Sequence, residues 1–240
     1  MKKTLITLCT VALLATACKK EAETGNSLHL TGTVDGLKQG KLYLKKIVDT
    51  SFVTIDSFTI KGNSNFESTL KIDSPEMYYL FLDRGVTNSL DNNIPFFAEK
   101  GVMTLETSLD FFTADAKITG SKNQALYDEY RKVMSRYVDQ DLSLIEKKFK
   151  AYKASQLDEV AKLDEEQKGI IKRKYLYTTN FAVNNGDYEV APYVALAEIY
   201  DINLKFLDTI QKSMTPKVAQ SLYGKKLTKY VADIKKEEQK

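Results

Sequence analysis

One histidine, two cysteines and no tryptophan narrow the chemistry open to these 240 residues. A Ser-His-Asp triad or a His-rich metal site would have to be built around His29. That residue alternates with Leu28 and Leu30, which is the setting of an outward-facing strand residue. Carboxylates are the next resource. Glu198 and Asp201 stand three apart near a predicted helix and would serve glycosidase-type work only at a defined separation in a common cleft; solvated helix ends are the other reading. Asp83-Arg84-Gly85 to Asp91-Asn92-Asn93 is a polar loop with oxygens for a cation, but it lacks the ligand order of an EF-hand and reads as surface. Nine of the eleven tyrosines in the C-terminal half, among them Tyr127, Tyr130, Tyr193 and Tyr223, either seat helices on a sheet or line an aromatic groove for a peptide or a sugar. Lys172-Arg173-Lys174 reads as a solvated face. No catalytic residue, metal ligand or cofactor-binding residue is expected, and the chain reads as a non-enzyme.

The cysteines sharpen this. Met1-Lys2-Lys3-Thr4, the apolar run Leu5 to Leu14 and the small residues Ala15 and Ala17 are the parts of a secretory signal peptide. The run is far shorter than the roughly 20 residues of a membrane span. Cys18 follows at the first mature position, and the segment resembles a bacterial lipoprotein signal, with Ala15 where that family prefers Leu. The resemblance implies acylation of Cys18 and a tether to a membrane rather than a span across it. Cys9 would leave with residues 1–17. The mature fold would then offer no thiol nucleophile, no Cys-based metal site and no redox dithiol.

Of the 35 basic side chains, Lys2 and Lys3 lie in the predicted signal, leaving 33 against 32 acidic ones. A balanced, interspersed charge excludes the clustered basic surface of a nucleic-acid binder. The apolar content of 43% is ordinary for a globular chain.

The elements that would position these residues fall into two halves. Residues 18–27 form a polar, lipidated tether. Residues 28–120 read as short strands, at Leu28 to Val34, Lys41 to Val48, Phe52 to Ile60, Phe66 to Ile72, Met77 to Leu82, Ile94 to Ala98, Val102 to Glu106 and Ala116 to Thr119. A period shift near Lys45-Lys46 predicts a bulge or a strand end. Met77 to Leu82, almost continuously apolar, predicts a central strand covered on both faces. The fold class is α+β: an N-terminal antiparallel β-sandwich or partly open barrel, then an α-helical region over 121–240. Ser121, with Gln124 three residues on, has the form of a helix start, and apolar residues then recur to Tyr152 as one long helix or two joined ones. Further helices are expected at 158–183, 193–200, 203–214 and 218–234, with Gly169 interrupting the first of these and 235–240 frayed.

The segments Leu30-Thr31-Gly32-Thr33-Val34-Asp35-Gly36-Leu37, Gly40-Lys41-Leu42-Tyr43-Leu44, Asp56-Ser57-Phe58, Tyr79-Leu80-Phe81-Leu82-Asp83, Phe96-Phe97-Ala98-Glu99-Lys100-Gly101 and Ile118-Thr119-Gly120-Ser121 resemble an uncharacterised N-terminal domain of Gram-negative envelope lipoproteins. Leu207 to Tyr230 is similar to the stretch that leads, in longer relatives, into a thioredoxin-like module of the peroxiredoxin and thiol-disulfide oxidoreductase superfamily. These 240 residues contain no Cys-x-x-Cys pair, so the resemblance carries over the envelope setting and the accessory fold but not the redox activity.

The expected function is a non-enzymatic, membrane-anchored binding or accessory module of the cell envelope, facing the periplasm or displayed at the outer-membrane surface. An envelope protein, a peptide or a glycan is the expected partner, and nucleic acid is not. Two alternatives stand beside it: a detached accessory subunit of a thioredoxin-like oxidoreductase system, and a carboxylate-dependent hydrolase.

Overall fold

Alternation of apolar and polar residues dictates the first half of the chain. In a computed structural model that describes residues 26–85 and 92–238, eight strands occupy β1 Ser27–Asp35, β2 Gln39–Val48, β3 Ser51–Lys61, β4 Asn65–Lys71, β5 Glu76–Asp83, β6 Asn93–Ala98, β7 Gly101–Ser108 and β8 Lys117–Thr119. The predicted signal peptide and Cys18, expected to be lipidated, lie outside the described residues. The strands form two four-stranded sheets, ordered β4-β1-β7-β8 and β3-β2-β5-β6. Leu28, Leu30 and Val34 of β1, Leu42 and Leu44 of β2, Leu80 and Leu82 of β5, and Met103 and Leu105 of β7 point inward and form one shared core, as a sandwich requires.

The sandwich is not wholly antiparallel. β1 and β7 run parallel, Leu28 opposite Gly101 through Asp35 opposite Ser108. The other pairings are antiparallel. The chain changes sheet at the Gly62 turn between β3 and β4, where Gly62 N–H donates to the Lys38 carbonyl at 2.7 Å. Gly32 sits in β1 because a Cβ there would meet the Phe66 ring at 2.2 Å, so its missing side chain makes room for that aromatic in the core.

Six helices follow: α1 Lys122–Lys153, α2 Leu157–Asn184, α3 Val190–Glu198, α4 Leu204–Ser213, α5 Pro216–Ala219 and α6 Leu222–Glu237. Ser121 caps α1 by accepting from Gln124 N–H at 2.9 Å. The helix is continuous over 32 residues. α2 runs through Gly169 without a break. The segment read as one helix over 218–234 is two, because Ser221 accepts from Gly224 N–H and starts a new helix after the Pro216 turn. Lys235 to Glu237 belong to α6 rather than to a frayed end.

α3 is apolar almost all round and lies at the centre of the helical core with Val190, Ala191, Val194 and Ala195 fully buried. That core also contains Met77 of β5 and Phe97 of β6, so the outer face of the second sheet is a wall of the helical region. No helix among the described residues is long and apolar enough to cross a membrane.

Candidate functional site

The outer face of sheet β3-β2-β5-β6 is covered at one end and open at the other. β5 supplies it with Met77, Tyr79 and Phe81, while Tyr78, Leu80 and Leu82 point inward. Helices cover Met77 and Phe97. Phe97 is fully buried with ring centroids 5.6 Å from Tyr127, 5.1 Å from Tyr193 and 6.2 Å from Tyr223. Along β5 toward Asp83, away from the β2–β3 turn, the cover ends; Tyr79 packs at its margin and Phe81 lies beyond it, and the two form a shelf.

Phe52 completes the shelf because of a bulge. The β2–β3 register shifts between Leu44 and Lys45: Leu44 lies opposite Asp56 but Lys45 opposite Thr54, so Ile55 is the extra residue. One inserted residue exchanges the two faces of the strand beyond it. Phe52 therefore lies on the outer face, its ring 5.0 Å from Tyr79 and 5.1 Å from Phe81, edge-on to both. Half of its surface remains exposed (50%). Lys45 Nζ sits 4.3 Å from the centre of the Phe81 ring and 5.5 Å from that of Tyr43, a cation over two aromatic faces. Among the described residues β3 has β2 as its one sheet neighbour, so the backbone edge beside Phe52 is an open strand edge there.

A second polar focus lies where the two halves meet. The β6–β7 turn places Glu99 beside the start of α1, where its Oε2 accepts from Ser121 Oγ at 2.6 Å and from Asn123 N–H at 3.3 Å. Asn123 Nδ2 donates to Glu99 at 3.4 Å and to the buried Glu189 at 3.0 Å, and Asn123 Oδ1 accepts from Val190 N–H at 2.8 Å. The two carboxylates line a cavity of about 380 Å³ with Lys100, Lys217 and Ser221. Every partner of this set ties α1 to β6 or to α3, and the arrangement is one of attachment. A larger groove of about 960 Å³ runs between α1 and α2, lined by Leu144, Ile170 and mixed charges such as Asp139, Lys162 and Arg173.

His29, the Glu198 and Asp201 pair and the Asp83 to Asn93 loop, singled out in the sequence, are not brought together. His29 lies on the outer face of β1, 3.2 Å from Thr69 Oγ1 and 3.4 Å from Glu67. Glu198 pairs with Lys174 at 3.2 Å, and Asp201 accepts from Tyr175 Oη at 2.7 Å, so each carboxylate has its own surface partner. Of the Asp83 to Asn93 loop, residues 86–91 lie outside the described residues; Asp83 Oδ1 accepts from Gly85 N–H. Among the described residues no group of His, Cys, Asp or Glu is placed to hold a metal ion.

The tyrosines pack. Tyr130, Tyr193 and Tyr223 lie in or against the helical core, and burial drives the pKa of each far above its ordinary value. Tyr78, inside the sandwich, is pushed up to about 12, mainly by burial. Tyr175 also reaches about 12, but there the hydrogen bond to Asp201 leads.

Residues 28–127 match the family model of a domain of unknown function, DUF4369. The DUF4369 stretch therefore spans both sheets and ends in the second turn of α1, beyond the point where Gln124 Oε1 accepts from Phe97 N–H at 2.7 Å. This covers the β6 edge with the first turn of a helix, one of the recognised protections of an edge strand. The shelf of Phe52, Tyr79 and Phe81 lies wholly within the matched residues 28–127. No curated protein matches the chain.

Proposed function

We propose that this protein is a non-enzymatic binding module, held at a membrane of the cell envelope by lipid on Cys18, whose working surface is the shelf of Phe52, Tyr79 and Phe81 with the free edge of β3. The observation that carries the reading is Phe52: a half-exposed aromatic, placed on the outer face by a bulge and stacked edge-on against two others. A monomeric surface leaves single apolar residues exposed, whereas joined aromatics beside a cation and an open strand edge suit a partner segment. An extended peptide would add a strand to β3 and set one apolar or aromatic side chain against Phe52 and Phe81.

The signal-like N-terminus and the resemblance to envelope lipoproteins support the proposed location. They also favour one class of partner, a thioredoxin-like protein, which would bring the dithiol that these 240 residues lack. Panning displayed random peptides on the purified protein tests the reading. Extended, aromatic-containing peptides whose affinity falls at least tenfold with Phe52→Ser are expected. Peptides that ignore Phe52→Ser, or retention of glycans alone, would contradict it.

A further inference from the structure

α1 carries two apolar stripes, and among the described residues one of them joins no hydrophobic cluster, with Lys153 Nζ lying over its Phe149 ring at 4.4 Å. Leu144 and Ala151 face α2 and meet Leu163 and Ile170 in a small core of their own, apart from the main helical core. Val138, Leu142, Ile145, Phe149 and Tyr152 instead recur at steps of four, three, four and three, and each is between 47% and 69% exposed. Those steps are the spacing of a coiled-coil seam, and at 1.5 Å per residue they make a strip about 20 Å long.

We propose that this strip is a self-association surface, on which α1 of a second copy of the chain packs antiparallel. Charge selects the occupant and its direction. Asp139 flanks the start of the strip and Lys153, its Nζ over the Phe149 ring, flanks its end, while Asp141 and Lys148 are taken up by Gln167 and Asp164 of α2. An antiparallel copy sets each acidic end against the partner's basic end, whereas a parallel copy aligns like charges. Area agrees with a dimer. Aromatic side chains carry about 150–250 Å² each and aliphatic ones less, so these two aromatics and three aliphatics, roughly half exposed, offer on the order of 500 Å² per copy and about 1,000 Å² for two, the lower bound of a specific interface. The surface is distinct from the Phe52 shelf and stands without that reading.

Single cysteines in the full-length chain, treated with a short thiol crosslinker in intact cells, test the proposal against the unsubstituted chain. Ile145→Cys lies near the two-fold axis and should give a dimer at least tenfold more abundant than Val138→Cys or Tyr152→Cys alone. Cells producing Val138→Cys and Tyr152→Cys together should recover the dimer, because an antiparallel pair brings those positions close. Adding Phe149→Glu to Ile145→Cys should abolish the band while leaving the circular dichroism spectrum unchanged. A missing Ile145→Cys dimer, equal bands from all three single variants, a band that survives Phe149→Glu, or an Ile145 adduct only to lipid or to a different protein would each overturn it.

Discussion

Tyr223 Oη accepts a hydrogen bond from the backbone N–H of Met77 at 2.9 Å, joining the last helix to a central strand 146 residues earlier. The contact is buried, and the Tyr223 ring packs 5.0 Å from Tyr193 and 6.2 Å from Phe97. The sandwich and the helices are thus fastened by both a ring and a hydroxyl. Tyr223→Phe keeps the ring and leaves the Met77 N–H without its acceptor. We expect a loss of about 1–3 kcal/mol in urea unfolding, with both halves still melting in one transition.

Asn123 fastens the same boundary from the other side. Asn123→Ala would strip Val190 N–H of its acceptor and the buried Glu189 of its donor. Because one partner is charged, we expect a cost of about 3 kcal/mol, larger than that of Tyr223→Phe and read in the same unfolding experiment.

Gly224 gives a prediction whose sign separates tertiary packing from helix propensity. Replacing a helical glycine by alanine ordinarily gains about 1 kcal/mol. Here a Cβ would meet the Val218 carbonyl oxygen at 2.0 Å and the Ala219 Cα at 2.8 Å, both backbone atoms of the preceding turn. Gly224→Ala should therefore destabilise by about 1–3 kcal/mol, visible as a lower denaturation midpoint.

Burial of the tyrosines makes stability fall at alkaline pH. Their pKa values rise in the folded state above the ordinary 10.0, so between that value and the raised one the unfolded chain loses protons that the folded chain keeps. The stabilisation is complete below about pH 10 and is lost as pH rises through the folded-state values. Tyrosinate absorbance should appear in two stages, exposed groups first and the buried set cooperatively with unfolding.

The proposed lipid anchor is tested apart from the fold. Cys18→Ala should move the protein from the membrane pellet to the soluble fraction or leave an unprocessed form, and mass spectrometry of the N-terminal peptide should lose the acyl mass. A Cys18→Ala protein that stays anchored and processed would contradict the assignment.

Much of the architecture was legible because it rests on local patterns. Alternation, with an apolar run at Met77 to Leu82, located the eight strands, the Ser121 and Gln124 pair located the start of α1, and the shift near Lys45, read as a bulge or a strand end, fell where the β2–β3 register slips, although the extra residue is Ile55 of β3. What was not legible depends on distant parts of the chain. The parallel pairing of β1 with β7 joins Leu28 to Gly101, and nothing in either strand names the other. Glu99, Asn123 and Glu189 meet only after the sandwich docks on α3. Phe52 escaped notice as a surface residue because unbroken alternation from Asp56, opposite the inward Leu44, would turn it inward; the extra Ile55 reverses its direction. The break between α5 and α6 had a visible sign, Ser221 as a cap, that the surrounding apolar periodicity obscured.

The most direct test of the binding-module account is photo-crosslinking in intact envelopes from a benzophenone side chain placed at Phe52. Val102 is the control, being 58% exposed on the outer face of the other sheet. The account predicts a discrete adduct with one envelope protein from position 52, absent from position 102 and competed by a peptide selected on the purified protein. No adduct at 52, or the same adducts at both positions, would contradict it.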